Sequence, residues 1–362
     1  MAQTITREQG QTRPKLRLVD CDIHNAPASP RTLLTYLDSR WHRRFEQYGM
    51  RPYQGSLYPR NNPQAARTDS WPPSGLPAGA DLPFLRTQLL DQWGIEYGIL
   101  NPLVPVTGPD AEYSAALASA VNDWQIAEWL DPEPRLRASL VVAHEDDELA
   151  AAEIDRLAHD RRFVQVLLLV RTREPLGKRR HWKIYEAAAR HNLPVGIHFG
   201  GSGGSPFTGA GWPSFYLEDH GGMPQAFQAQ LISLVYEGVF ARFPNLRMIF
   251  IEGGFGWLPS LLWRLDRSWE QLGEDIPHLE RPPSSYIREQ LWLTTQPMEE
   301  PAKPAFFLQL LEQLNMNERL MFATDYPHWD FDAPDRAFPV KLPADLERRF
   351  LADNALALYG LP

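Results

Sequence analysis

Cysteine is almost absent from this chain of 362 residues: the single Cys21 can form no internal disulfide, so the fold must be held by packing and suits a reducing compartment. Basic charge is not in excess either. Thirty-six lysines and arginines stand against 45 aspartates and glutamates, and the formal charge of −9 argues against a nucleic-acid partner, which needs a basic face. No apolar run reaches the roughly 18 residues of a membrane span. The opening MAQTITREQGQTRPK has no apolar signal core. These absences lead us to expect a cytoplasmic protein with neither membrane nor nucleic-acid partner. The glycine-rich FGGSGGSP lacks the Gly-Lys-Ser/Thr ending of a phosphate loop and instead gives backbone room around His198.

What is present is a globular composition, 43% hydrophobic and 22% charged. Residues 1–15 read as a flexible tail and 16–362 as a single domain, because no composition break divides the rest. Apolar runs recur at 16–24, 95–100, 136–142, 163–169, 194–200, 247–252, 290–296 and 320–325, each followed by helical spacing. Continuous rather than alternating apolar strands belong to a parallel sheet buried on both faces. Eight such strand–helix units predict an α/β fold of the (β/α)8 barrel type. One stretch breaks the rhythm. Residues 50–83, rich in Pro, Gly and Asn, follow the first strand and its helix, and we expect a lid-like insertion there.

In such barrels the reacting groups sit at the carboxyl ends of the strands. Strand one ends in Asp22-x-His24, a carboxylate and an imidazole two residues apart and so on one face. Strands five, six and eight end in His198, Glu252 and Asp325. This mixed nitrogen and oxygen set suits zinc, manganese or iron, and no thiolate selects a softer metal. Glu252 and Asp325 are the candidate catalytic groups, as acid/base partners of a metal-activated water or substrate. Gln296 at the end of strand seven, His328 just past strand eight and His220 in the fifth loop are candidate contacts to a small-molecule substrate. Cys21 is expected to point into packing, and the run HEDDE at 144–148 to be a solvated helix start.

With these residues in place the chain resembles the amidohydrolase superfamily, in the branch of the aminocarboxymuconate semialdehyde decarboxylases and related aromatic-acid decarboxylases. The motifs DCDIHN, PVGIHFGG, EGVFARFPNLRMIFIEGGFGWLPSLLWRLDR and ATDYPHWDFD carry the resemblance, which runs from about residue 16 to the end. It implies a distorted barrel and a divalent metal, zinc above manganese or iron, held by Asp22, His24, His198 and Asp325. A homodimer is implied as well. The sequence departs from that pattern at strand six, where Glu252 stands in place of a histidine.

The leading expectation is a metal-dependent hydrolase or decarboxylase acting on a small organic acid, amide or lactone. A second is a two-ion iron or manganese oxygenase on the same barrel, with Glu252 as a metal ligand, because three carboxylates exceed what one dication balances. A third is a non-catalytic, metal-holding subunit of a hetero-oligomer.

Overall fold

The computed structural model describes residues 16–50, 65–102, 104–201, 204 and 206–362. The expected tail and residues 51–64 of the expected lid lie outside them. Eight strands follow one another in chain order around a single parallel sheet: β1 (Val19–Ile23), β2 (Tyr97–Leu100), β3 (Leu136–Val141), β4 (Phe163–Leu169), β5 (Val195–His198), β6 (Met248–Ile251), β7 (Leu291–Thr294) and β8 (Leu320–Met321). The sheet closes through backbone hydrogen bonds from Cys21 to Phe322 (3.0 Å) and from Asp325 to Asp22 (3.1 Å). All eight expected strands are present, β4 over the whole of its apolar run and the others shorter than theirs. Beyond Met321 the eighth run continues as an extended segment bonded to β1.

Every strand is buried, as continuous apolar runs require. Val19, Cys21, Ile249, Ile251, Trp292 and Met321 pack together with Leu356 and Leu358 of the closing helix, while the larger core lies between sheet and helices. Cys21 is thus a packing residue. Helical segments follow the strands as expected. The spacing over 223–245 reads as one helix, but the structure has two, Met223–Tyr236 and Val239–Arg242, because Gly238 turns left-handed at φ 88° between them. Pro283–Gln290 forms a helix ahead of β7 that the periodicity did not reveal.

From residue 65 the insertion is described, and it packs on the mouth of the barrel. Ala66 bridges His328, the Trp329 N–H donates to the Ala65 carbonyl (2.8 Å), and the Arg67 N–H donates to the Pro327 carbonyl (2.9 Å). Gly79 is left-handed at φ 76°, and a Cβ there would stand 2.6 Å from the His24 carbonyl oxygen. Neither the conformation nor the space admits a side chain. Gly79→Ala is expected to cost about 1–3 kcal/mol, read as a lower denaturation midpoint without change in slope.

Candidate functional site

Register brings the candidate residues together. His198 ends β5 level with Ile251, so Glu252 lies one residue beyond it on β6. The Asp325 N–H donates to the Asp22 carbonyl, which sets β8's carboxylate beside β1's. Glu252 and Asp325 both adopt φ 61°, a left-handed conformation rare outside glycine. Each left-handed residue turns the chain at its strand end, at a cost of about 1–3 kcal/mol that the packing around it must outweigh.

Asp22, His24, His198, Glu252, Asp325 and His328 are all buried. Two groups of potential ligands share His24: Asp22, His24, His198 and Glu252, and His24, Asp325 and His328. Donors about 2.1 Å from a common ion lie roughly 3.0–3.5 Å apart. The His24 Nε2–Asp22 Oδ1, His198 Nε2–Asp22 Oδ2 and His198 Nε2–Glu252 Oε2 separations are 3.5, 3.3 and 3.4 Å. They are long for hydrogen bonds and right for the edges of a coordination shell. His24 Nδ1 donates to the Asn101 carbonyl (2.6 Å) and His198 Nδ1 to the Phe199 carbonyl (2.5 Å). Each neutral ring then turns its Nε2 lone pair towards the cluster, the tautomer a metal ligand needs. The donor set fits a divalent ion.

The electrostatics express the same demand for positive charge. Burial alone would lower the His24 pKa, but the Asp22 carboxylate, with Asp325 behind it, outweighs this and pushes it up to about 9. Burial also opposes a charge on His198, yet Asp22 and Glu252 raise it. Glu252 is pushed well above the usual carboxylate range by burial and then by the Asp325 charge. Burial would raise Asp325 too, but His328 and His24 hold it below that range.

Asp325 is the most crowded group. Its Oδ1 faces His24 Nε2 (2.8 Å) and His328 Nδ1 (2.7 Å), and Gln296 Nε2 donates to Oδ2 (3.2 Å). The same Gln296 nitrogen donates to Asp330 Oδ2 (3.0 Å), and His220 Nε2 bonds that Asp330 oxygen at 2.9 Å. His220 therefore stands one layer out from the cluster, paired with Asp330.

A supporting chain runs up the barrel to Asp22. Tyr359 donates to Gln165 (2.9 Å), and Gln165 to Ser139 Oγ (2.7 Å) and Asn101 Oδ1 (3.2 Å). Asn101 Nδ2 then donates to Asp22 Oδ1 (2.8 Å). The sequence reading missed Asn101, Ser139, Gln165, Tyr359 and Asp330. Asn101 was open to the same rule that found the others, since it is a polar residue ending the apolar run GIL. Ser139 and Gln165 interrupt apolar strands, a weaker signal.

A closed parallel barrel whose carboxyl-end mouth buries carboxylates among imidazoles defines the class of the metal-dependent barrel enzymes. The chain belongs to the amidohydrolase family, whose sequence profile matches residues 19–361. It is 27% identical over 270 residues to a gamma-resorcylate decarboxylase of Polaromonas sp., covering 70% of this chain and 79% of that protein. Among solved structures it is similar to an amidohydrolase of Mycobacterium avium subsp. paratuberculosis (TM-score 0.72, 20% identity, 96% of this chain and 100% of that one). It is similar as well to a 5-carboxyvanillate decarboxylase of Novosphingobium aromaticivorans complexed with manganese and 4-hydroxy-3-methoxy-5-nitrobenzoic acid (TM-score 0.71, 20% identity, 96% of each chain). Among the described residues no helix is long and apolar enough to cross a membrane.

The raised His24 sets a direction for pH. Below about pH 9 the metal-free ring carries a proton that an incoming ion must displace. Apparent Mn2+ affinity, measured by competition with a chelating dye, is therefore expected to weaken as pH falls from 9 to 6, by up to about tenfold per unit for one displaced proton. Asn101→Ala, which removes the amide behind Asp22, is expected to weaken it a further 10–100-fold or so at any one pH.

Proposed function

We propose that this protein is a metal-dependent carboxy-lyase that removes CO2 from a small aromatic acid. The observation that carries the reading is the buried cluster at the barrel mouth, with ligand-type tautomers and coordination-edge spacings, on a chain whose matched relatives are decarboxylases of aromatic acids. Asp22, His24, His198 and Asp325 would hold the ion, with Glu252 beside them as a further ligand or proton-handling group. Manganese suits this carboxylate-rich set at least as well as the zinc expected from the sequence. When bound, the ion supplies Lewis acidity to the substrate's carboxylate or an adjacent hydroxyl oxygen.

The residues around it would do the rest. The Gln296 amide fixes Asp325, and Asn101 fixes Asp22, so the donors are set before substrate arrives. Gln296 Oε1 is buried with no donor among the described residues, an acceptor suited to a substrate hydroxyl. Buried walls exclude water from the cluster and strengthen each charge interaction within it. The cytoplasm and a homodimer remain our proposals for place and assembly.

Protein purified without chelator or added metal is expected to contain about one equivalent of divalent ion and to release CO2 from 2,6-dihydroxybenzoate or 5-carboxyvanillate. Chelation should abolish turnover and Asp325→Asn should lower it at least about 100-fold with loss of metal. Full turnover by metal-stripped protein would overturn the reading. The shared His24 between two ligand groups favours a second reading, a two-ion oxygenase. About two equivalents of metal, with turnover that stops without O2, would select it.

A further inference from the structure

Decarboxylation of an aromatic acid needs a proton as well as a Lewis acid. The ring–carboxylate C–C bond breaks, its electron pair stays on the ring carbon, CO2 leaves, and a proton must arrive at that carbon. Most groups of the inner cluster are already committed to one another or to the backbone. Asp325 Oδ1 already lies against His24 Nε2 and His328 Nδ1, and its Oδ2 accepts from Gln296. The Nδ1 protons of His24 and His198 are committed to backbone carbonyls, and their Nε2 atoms face the cluster. Glu252 belongs to the first ligand group, its Oε2 3.4 Å from His198 Nε2, and as a ligand to an ion there it would carry no proton to give.

One layer out is an imidazole arranged differently. His220 lies in the short helix Tyr216–Gly221 of the fifth loop, whose position Arg171 fixes through its ion pair to Asp219. Glu218 accepts from the backbone N–H groups of Ser214 and Phe215 at the start of that helix. The His220 ring lies 5.2 Å from that of Trp329 and 5.7 Å from that of Tyr216. Its Nε2 is bound to Asp330, while Nδ1 has no hydrogen-bond partner among the described residues. A carboxylate holding one ring nitrogen, with the other nitrogen open, is the arrangement that orients an acid/base histidine. Gln296 ties this pair to the inner cluster by donating to both Asp330 and Asp325.

We propose that His220, oriented by Asp330, is the general acid that delivers the proton to the ring carbon as CO2 departs. The inference rests on the carboxy-lyase reading. The imidazolium gives its Nδ1 proton to the carbon and becomes a neutral ring still bonded to Asp330. With the His220 side chain 16% exposed, solvent can restore the proton. The Asp330 charge favours the protonated ring and raises its pKa, against the opposing effect of burial, so the acid form is populated nearer neutral pH.

The test separates proton transfer from bond breaking. Manganese-loaded wild-type protein is incubated in D2O with resorcinol, the decarboxylation product of 2,6-dihydroxybenzoate, and deuterium entry at the ring carbon is followed by NMR. Wild type should exchange, and His220→Gln should lower both exchange and kcat by about 100-fold or more while metal content and resorcinol Kd stay within about twofold. Asp330→Asn keeps the imidazole and removes its anion. The kcat limb on which activity falls as the acid deprotonates should then move to lower pH by about one unit. Exchange by His220→Gln at the wild-type rate, or an unmoved limb in Asp330→Asn, would overturn the proposal while leaving the carboxy-lyase reading standing. A wild-type protein that neither decarboxylates nor exchanges would instead remove that reading, and this proposal with it.

Discussion

Three carboxylates and three imidazoles shut away from water at one end of the barrel are the constraint on which the site depends. Asp22 is fully buried between two histidines, one of its oxygens towards His24 and the other towards His198. Taking such charges from water costs several kcal/mol per ion unless an opposite charge compensates. Protons on the histidines or a metal ion can supply that charge, and the two compete for the same Nε2 atoms. The barrel makes the arrangement tenable because every candidate ligand sits at or just past the end of a strand whose register is fixed by its neighbours. Relaxing the cluster would mean shifting strands.

The second requirement is directional. A carboxylate has two oxygens and a free torsion, so burial alone does not aim it. Asn101 aims Asp22, and Ser139, Gln165 and Tyr359 in turn hold Asn101, so a contact from the closing helix reaches the carboxylate near the end of β1. Glu252 and Asp325 are aimed by the backbone, through the left-handed conformation each adopts, and Asp325 by the Gln296 amide as well. Two different devices thus give one geometry: hydrogen-bonded amides inside the barrel and backbone turns at the strand ends, which meet at Asp325.

The contrast explains how much could be read from the sequence. The strands were legible because a doubly buried parallel strand leaves an apolar run that turn residues bound. The inner candidate residues were legible because a charged residue ending such a run is rare without a purpose. Asn101, Ser139 and Gln165 were not, since an uncharged polar residue on a strand carries no mark of what it bonds. Asp330 lies in the loop after Asp325 among other acidic residues, and its bond to His220 joins positions 110 apart. The break at Gly238 was hidden because the apolar spacing continues across it. Local pattern reports burial well and partnership poorly.

At strand six a single change of residue type alters the charge balance of the whole site. With an imidazole there, two carboxylates would balance one dication. With Glu252 there, Asp22, Glu252 and Asp325 carry three potential negative charges, and an aromatic carboxylate substrate would bring a fourth. A single dication leaves that sum negative, so the occupied site would need further positive charge near the substrate. A protonated His220 could provide it, and its partner Asp330 is coupled to Asp325 through one Gln296 nitrogen. The inner shell would then hold the ion and the outer pair the proton, with Gln296 keeping the distance between them fixed. An imidazole at strand six would place both tasks within the inner shell, whereas the glutamate separates them.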